Sequence, residues 1–248
     1  MHRKLSILEI SFDSSWYISE ISVVIDACSA ALTTLVSARA LNGTFTVNIT
    51  LSNVSDSMTL VGVEFKLRYN TTLLQVVRVD NGTFLEGFAG SPNGGMLYYG
   101  PIMGPDYVQF AGLILPDVNC TWHAPFPSGN GTIATITFKV MYQPYGLQNP
   151  TIYCNLTLFD TKLGDFQANP IPHDVQNSSY GIVPTPLGDL NFDGTTDIYD
   201  AILFATAFGT HSGDLRWNPY ADLNKDGIID IYDAIILGRH FGEKRPDP

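Results

Sequence analysis

The sequence predicts a mainly β protein, in which an antiparallel β-sandwich of jelly-roll type precedes a small all-α module at the C-terminal end. Two observations carry this prediction. Short apolar runs with period-two alternation fill residues 22–183, and Gly, Pro and Asn turn signals separate them. Beyond residue 188, an Asp-rich loop followed by a helical pattern occurs twice.

The predicted strands of the sandwich alternate most clearly at residues 44–51 and 61–69. In the second of these, Val61, Val63 and Phe65 share one face, and charged residues occupy the other. Residues 30–40 are interpreted as an edge strand. Further strands are predicted at 73–79, 96–99, 107–115, 132–141 and 151–159. Short strands at this spacing are typical of a sandwich or jelly roll.

Charge is unevenly distributed along the chain, whose formal net charge is −11. Residues 188–248 hold eleven acidic and five basic side chains, so about a quarter of the chain carries over half of the net charge. This balance argues against nucleic-acid binding, which requires a basic surface. The acidic segment repels itself unless a cation neutralises it. No uncharged apolar run reaches the ~18 residues of a membrane span.

Nine N-glycosylation sequons predict an extracellular or cell-surface protein, because this density is high for the length. They are Asn42, Asn48, Asn53, Asn70, Asn81, Asn119, Asn130, Asn155 and Asn177. The basic first four residues are followed by Glu9 and Asp13, which interrupt any apolar signal region. Residues 1–21 are therefore interpreted as a separate N-terminal segment, either a misplaced start or a non-native remnant, and the export signal stays unassigned.

The three cysteines, Cys28, Cys120 and Cys154, show neither CxxC nor Cys/His zinc spacing. Cys120 and Cys154 either form a disulfide across the sandwich, which leaves Cys28 odd, or are free thiols. No catalytic residue is predicted, because the sequence lacks nucleophile, zinc-protease and phosphate-loop motifs. Solvated loop positions explain the acids of the sandwich better than a glycosidase carboxylate pair does. The protein is therefore expected not to be an enzyme.

Residues 188–209 and 221–242 form an internal repeat with an offset of 33 residues, and both contain DLNxDGxxDIYDAI. A Pro-containing linker, residues 184–187, precedes the first copy. Each copy begins with carboxylate and amide oxygens at alternate positions. An EF-hand-like loop of about twelve residues uses this pattern to surround Ca²⁺, with Gly at its sixth position for the sharp turn. The sequence therefore predicts two calcium ions, one in each loop.

The predicted calcium ligands occupy equivalent positions in the two loops. They are Asp189, Asn191, Asp193, Thr195, Asp197 and Asp200 in the first loop, and Asp222, Asn224, Asp226, Ile228, Asp230 and Asp233 in the second. Thr195 and Ile228 would contribute backbone carbonyl oxygens. Mg²⁺ is disfavoured, because it demands octahedral geometry and retains its waters. Without metal, the segment after residue 188 is predicted to be largely unfolded.

One helix is predicted after each loop, at residues 197–208 and 230–241. Ile198, Ile202, Ala205 and Phe208 recur at helical spacing in the first helix. Gly209 and Gly242 stand where a helix commonly ends in a left-handed residue. Prolines stand before both loops, so no helix precedes either. Each repeat is therefore half of an ordinary EF-hand.

The duplicated DxNxDGxxDxxD loop with its helix resembles a type I dockerin over residues 188–242, within a predicted module of 188–248. The resemblance implies a calcium-folded module that binds cohesin domains in cellulosome-like assemblies. In that family, the tenth and eleventh loop positions help to select the cohesin, and here they are Ile198-Tyr199 and Ile231-Tyr232. Ile198 and Ile231 are expected to pack in the core, and the two tyrosines are better candidates for an exposed partner face. Polar residues are frequent at these positions in type I dockerins, so the class of partner stays open.

Residues 22–183 resemble a cohesin, with FTVNITLSNVSD at 45–56, GVEFKLRYNTTLL at 62–74, GNGTIATITFKV at 129–140 and LTLFDTKLGDFQANPIP at 156–172. Cohesins are similar in fold to some carbohydrate-binding modules. The resemblance implies a scaffolding protein of polysaccharide-degrading assemblies, whose partners are cohesin or dockerin modules of other proteins or a second copy arranged head to tail. The alternative is a carbohydrate-binding module tethered through a dockerin, which exposed coplanar aromatics would favour.

Overall fold

The computed structural model describes residues 20–26, 33–37 and 41–245. Within these ranges the chain forms two compact units. The first comprises Thr44–Met141 and Cys154–Tyr180, together with the described residues up to Leu35. The second comprises Tyr142–Tyr153 and the residues from Gly181 on, together with the described part of Val36–Gly43. The segment 1–19, most of the predicted N-terminal segment, lies outside the described residues, as does Cys28.

Eleven strands and two α-helices make up the described regular structure. The strands are β1 (Glu20–Asp26), β2 (Thr33–Ser37), β3 (Thr44–Val54), β4 (Leu60–Arg68), β5 (Leu74–Asn81), β6 (Gly95–Met103), β7 (Tyr107–Leu115), β8 (Gly129–Val140), β9 (Ile152–Asp165), β10 (Asp174–Gln176) and β11 (Ser178–Ile182). The helices are α1 (Ile198–Ala207) and α2 (Ile231–Arg239). Short 3₁₀ turns lie at Asp56–Met58 and Glu86–Phe88.

The strands form two sheets, and this confirms the predicted fold class. The five-stranded sheet has the order β10-β1-β3-β8-β5, and the six-stranded sheet has the order β2-β11-β9-β4-β7-β6. Strands β4, β7 and β9 pair antiparallel, whereas β1 and β3 run parallel. The edge strand predicted within residues 30–40 is found as β2, at one end of the six-stranded sheet.

The core of the first unit is built from the alternating residues of these strands. Val47, Ile49 and Leu51 of β3 are fully buried, as are Phe65 and Leu67 of β4. Burying each such side chain contributes about 1.5–3 kcal/mol. The predicted inward face of residues 61–69 is therefore confirmed, and the opposite, polar side of β4 is left to form an outer surface of the sandwich.

Neither of the two described cysteines forms a disulfide. Cys120 is an exposed free thiol, and Cys154 is a buried one. Burial raises the pKa of the Cys154 thiol, because the thiolate is poorly solvated there. The free-thiol interpretation therefore holds for this pair. Of the nine sequon asparagines, Asn48 and Asn177 are half-buried and the other seven are exposed.

Candidate calcium loops and protein-binding faces

The first Asp-rich loop curls around two fully buried carboxylates, those of Asp189 and Asp200. The backbone N–H groups of Leu190 and Asn191 donate to Asp200 Oδ1 at 2.7 and 3.0 Å. The N–H of Gly194 donates to Asp189 Oδ2 at 2.9 Å. Gly194, the sixth residue, adopts a φ of 93°, which costs glycine little and other residues more. The first and last acidic residues of the loop are thus held inside its turn.

The second loop repeats this geometry almost bond for bond. Asp233 is fully buried, and Asp222 is 8% exposed. Leu223 N–H and Asn224 N–H donate to Asp233 Oδ1 at 2.8 and 3.1 Å, and Gly227 N–H donates to Asp222 Oδ2 at 3.0 Å. The two loops have the same geometry because their sequences are nearly identical and the same local hydrogen bonds shape both.

The ninth and twelfth loop residues also begin the helices. Asp197 Oδ1 accepts from Tyr199 N–H at 2.8 Å, and Asp200 Oδ2 accepts from Asp197 N–H at 2.8 Å, which is a reciprocal capping box. Asp230 and Asp233 cap α2 in the same way. The helices therefore start one residue later than predicted, with Asp197 and Asp230 as N-caps. Each loop and its helix form one continuous unit.

The arrangement fits a divalent cation with oxygen ligands. Each loop holds four aspartates, and none of the ion pairs of the described residues involves them. Burial raises the pKa of Asp189 from 3.8 to about 6, despite the hydrogen bonds it accepts from Thr185 and Gly194. Among the described residues, no three His, Cys, Asp or Glu side chains form a metal centre by themselves. Amide and backbone carbonyl oxygens, such as those of Asn191 and Thr195, would have to complete the coordination, which suits Ca²⁺.

The helices present Ile198 and Ile231 to solvent, and the prediction that these residues pack in the core is wrong. Both are 57% exposed, and Tyr199 and Tyr232 beside them are 64% and 63% exposed. The reason lies in the loops. The carboxylate of Asp200 must point inward to its backbone donors, and at 100° per residue Ile198 lies on roughly the opposite side of the helix.

The true core of the repeats follows from the inward aspartates. Phe204 and Ala207 continue the inward side of α1 from Asp200 at helical spacing, and Leu237 follows Asp233 on α2. These residues pack in a cluster with Leu190, Ala221 and Ile229. The helix sequences do not single out this face, because apolar residues also occupy the outward sides, and the buried carboxylates of Asp200 and Asp233 in the structure identify it.

Two exposed helix faces result, each a near copy of the other. On α1 the face consists of Ile198, Tyr199, Ile202 and Leu203, and on α2 it consists of Ile231, Tyr232 and Ile235. Contiguous exposed apolar side chains of this kind mark interaction surfaces in soluble proteins. All four residues predicted for partner binding therefore lie on exposed surface.

A second exposed apolar area lies on the outer side of strands β9, β4, β7 and β6; we call it the sheet face. An open cavity of about 450 Å³ there is lined by Gly62, Leu97, Tyr99, Leu113, Pro170 and Ile171, among others. Leu97 and Tyr99 are 53% and 62% exposed. Ion pairs of 2.9 Å, Lys162–Glu64 and Lys66–Asp160, flank this apolar area. The sheet face is therefore apolar at one end with charged residues beside it.

Several aromatic residues of the sandwich are buried or held by contacts within the protein. Phe110 is buried, and Trp122 is half-buried and donates from Nε1 to the Ile114 carbonyl at 2.8 Å. Phe126 stacks on Phe166 with ring centroids 5.6 Å apart. The exposed aromatic residues of the described sandwich include Tyr99 and Phe166, and the ring of Phe166 pairs with the half-buried ring of Phe126. The polysaccharide-binding alternative stays a prediction without structural support.

Comparison with protein families identifies both parts of the chain. The cohesin domain model matches residues 32–145, and the dockerin type I domain model matches residues 187–242. The protein joins a cohesin domain to a type I dockerin. Comparison with curated proteins gave no match. Both domain types are non-catalytic interaction modules, so these two parts of the chain serve protein–protein interaction of the cellulosome type. Type I dockerins bind calcium.

Solved structures with a similar fold include three cohesin structures. A non-cellulosomal cohesin from the hyperthermophilic archaeon Archaeoglobus fulgidus is 16% identical, with a TM-score of 0.44 over 65% of this chain and 90% of its own. A chain of a type I cohesin–dockerin complex from Clostridium thermocellum is 13% identical, with a TM-score of 0.46 over 70% and 99%. The third cohesin of ScaC from Acetivibrio cellulolyticus is 18% identical, with a TM-score of 0.46 over 65% and 98%. These values are low, so the assignment rests on the two family models.

The dockerin assignment agrees with the loop geometry, in which oxygen-rich turns precede short capped helices. No helix among the described residues of this cohesin–dockerin protein is long and apolar enough to cross a membrane.

Proposed function

We propose that this cohesin–dockerin protein is a secreted adaptor. Its dockerin, folded around two calcium ions, would bind a cohesin of another molecule, and its sandwich would bind a dockerin. The observation that carries the proposal is that one chain holds two kinds of exposed apolar surface, the helix faces and the sheet face. Apolar surface at the centre of an interface with charged residues at its rim is the common anatomy of protein–protein contacts.

Calcium dependence follows from the buried carboxylates of the loops. We propose the twelve ligands named above, six for each ion, with Asp189 and Asp222 first and Asp200 and Asp233 last. Removing the ions would leave like charges close together in poorly solvated positions, which disfavours the folded loops. Cohesin binding is therefore proposed to require calcium, because the ions set the direction of both helices.

We further propose that the sandwich spans residues 22–183, extended by Glu20 and Ile21 of β1, and that the linker at 184–187 joins it to the dockerin at 188–248. The nine sequons support secretion, and an extracellular, polysaccharide-degrading assembly is the setting that the domain types suggest. Because the chain carries both halves of a cohesin–dockerin pair, a second copy is a possible partner, and such head-to-tail contacts can propagate.

Self-association can be tested on the intact chain by sedimentation velocity, with calcium and with chelator. We expect concentration-dependent oligomers in calcium and monomers in chelator, because head-to-tail binding uses the folded dockerin. Tyr99→Asp on the sheet face should reduce oligomers, whereas Val118→Asp, at a fully exposed loop residue of the same domain, should not. A chain that is monomeric in calcium, with its helices shown folded by circular dichroism, excludes self-assembly and directs the search to foreign cohesins and dockerins.

The duplicated helix faces predict two alternative binding orientations related by the pseudo-two-fold symmetry of the repeat. Tyr199→Ala or Tyr232→Ala alone should weaken cohesin binding only a few-fold, because the other copy still offers an intact face. The double variant should lose roughly 30-fold or more, because the face used in either orientation then lacks its tyrosine anchor. Isothermal calorimetry against a cohesin that binds the wild-type chain measures this. Loss of binding with Tyr199→Ala and no effect of Tyr232→Ala contradicts the two-orientation model.

A further inference from the structure

The two calcium loops have nearly identical ligands but different surroundings. Phe192, the fourth residue of the first loop, lies in an aromatic cluster with Tyr145 and Tyr220. Ring centroids are 5.7 Å apart for Tyr145–Phe192, 5.8 Å for Tyr145–Tyr220 and 5.0 Å for Phe192–Tyr220. Lys225 stands at the equivalent position of the second loop and is exposed. We call the three rings the aromatic lid.

Tyr145 comes from a segment more than forty residues upstream of the first loop, within the same compact unit as the repeats. Hydrogen bonds join this segment to the residues that precede the first loop. Tyr145 bridges to Thr185, whose N–H donates to the Pro144 carbonyl at 2.9 Å, and the Gln143 amide donates to the Val183 carbonyl. Thr185 in turn donates its hydroxyl to Asp189 Oδ2. A hydrogen-bonded chain therefore runs from the Tyr145 segment to the first ligand of the loop.

Within the aromatic lid, Phe192 and Tyr145 are half-buried and Tyr220 is 38% exposed. The Tyr145 hydroxyl is buried and has no hydrogen-bond partner in the protein. Burial raises the pKa of Tyr145, and the neighbouring Tyr220, Asp189 and Asp200 raise it further. In the second loop, Asp222 has residual exposure where its counterpart Asp189 has none.

We propose that the aromatic lid makes the two calcium sites inequivalent, with Tyr145 slowing calcium release from the first loop so that the second loop exchanges its ion faster. The inference rests on the proposed binding of one ion in each loop. Excluding water strengthens the attraction between Ca²⁺ and the carboxylates and blocks the water that would replace a departing ligand.

Neighbouring basic charge does not explain why the two sites would release calcium at different rates. Two basic residues lie beside the first loop, because Lys244 bridges to Thr195 and the Arg245 guanidinium lies next to Gly194, whereas Lys225 is part of the second loop. The additional positive charge beside the first loop would weaken calcium binding there, so it does not account for slower release from that loop. The difference lies in burial and in the Thr185 hydrogen bond. By reciprocity, calcium in the first loop stabilises the packing of the Tyr145 segment as much as that packing stabilises calcium.

The test is stopped-flow release of calcium from the intact chain into a fluorescent chelator. We expect two phases in the wild type. Asp222→Asn should retain only the slow phase, and Asp189→Asn should retain only the fast phase. The two variants thus assign each phase to one loop. Tyr145→Ala should accelerate the slow phase by about tenfold, as expected for loss of an outer-sphere partner. Tyr145→Phe should retain the slow phase, because the ring provides the cover. Tyr142→Ala, at an exposed tyrosine of the same segment, should leave both phases unchanged.

Circular dichroism in saturating calcium checks that each variant is folded, and Tyr145→Leu replaces the alanine variant if that variant has lost its helices. Two ions released in a single phase, or a slow phase that Tyr145→Ala and Tyr145→Leu leave unchanged, overturns the inference and leaves the two-ion proposal intact. Calorimetry that detects no calcium uptake overturns both.

Discussion

Chelation of calcium is expected to abolish the helical circular-dichroism signal of α1 and α2 while the β signal of the sandwich persists. A ligand present at about 1,000 times its Kd stabilises the folded state by about 4 kcal/mol, so two ions supply an amount comparable to the whole stability of a small domain. The core of the repeats is small. Each loop also holds two buried carboxylates, Asp189 with Asp200 and Asp222 with Asp233, which repel each other when no cation is present. Adding calcium back should restore the helices.

Single ligand variants sharpen this experiment. Asp200→Asn or Asp233→Asn should shift the calcium midpoint of helix formation to higher concentration by at least about tenfold, since each removes a charged ligand that also caps its helix. Asp174→Asn makes the same charge change at an exposed residue of β10 and should have no effect on that midpoint. Helices that survive in chelator would refute the calcium-folded model of the repeats.

Replacing Ile198 and Ile231 together with Asp is expected to weaken cohesin binding by at least about 30-fold without unfolding the dockerin. Both side chains are more than half exposed, so the substitutions disturb no core contact. In a complex, however, each would bury a carboxylate in an apolar contact, and losing one interface anchor typically costs about 2 kcal/mol or more, which is roughly 30-fold in Kd.

The matched control is Leu215→Asp, which introduces the same charge at a fully exposed residue between the two repeats, outside both helices. Calorimetry in calcium against a cohesin that binds the wild-type chain measures affinity, and circular dichroism verifies the helices. If the double variant binds as tightly as the control, the partner surface lies elsewhere on the module.

The strands of the sandwich were predictable because alternation is a local property. The run from Val61 to Tyr69 shows its buried face directly in the order of apolar and polar residues, and β4 matches it within one residue at each end. The strand order was not predictable, because it depends on which distant segments pair. The joining of β4 to β9 and the parallel pairing of β1 with β3 have no signature within any one segment.

The sequence by itself determined the two Asp-rich loops, since the residues proposed as calcium ligands lie within about twelve residues of one another and the same local hydrogen bonds shape both loops. It determined the helix starts to within one residue, with Asp197 and Asp230 found as N-caps, whereas α1 and α2 end one and two residues before the predicted ends. Only the tertiary structure decided which side of each helix faces outward. The reason is that the apolar residues surround these short helices on several sides, and the inward carboxylate of Asp200 selects the buried one. The contact of Tyr145 with Phe192 of the first loop was likewise not predictable from residue spacing, because the two residues are distant in the sequence and meet only in the folded chain.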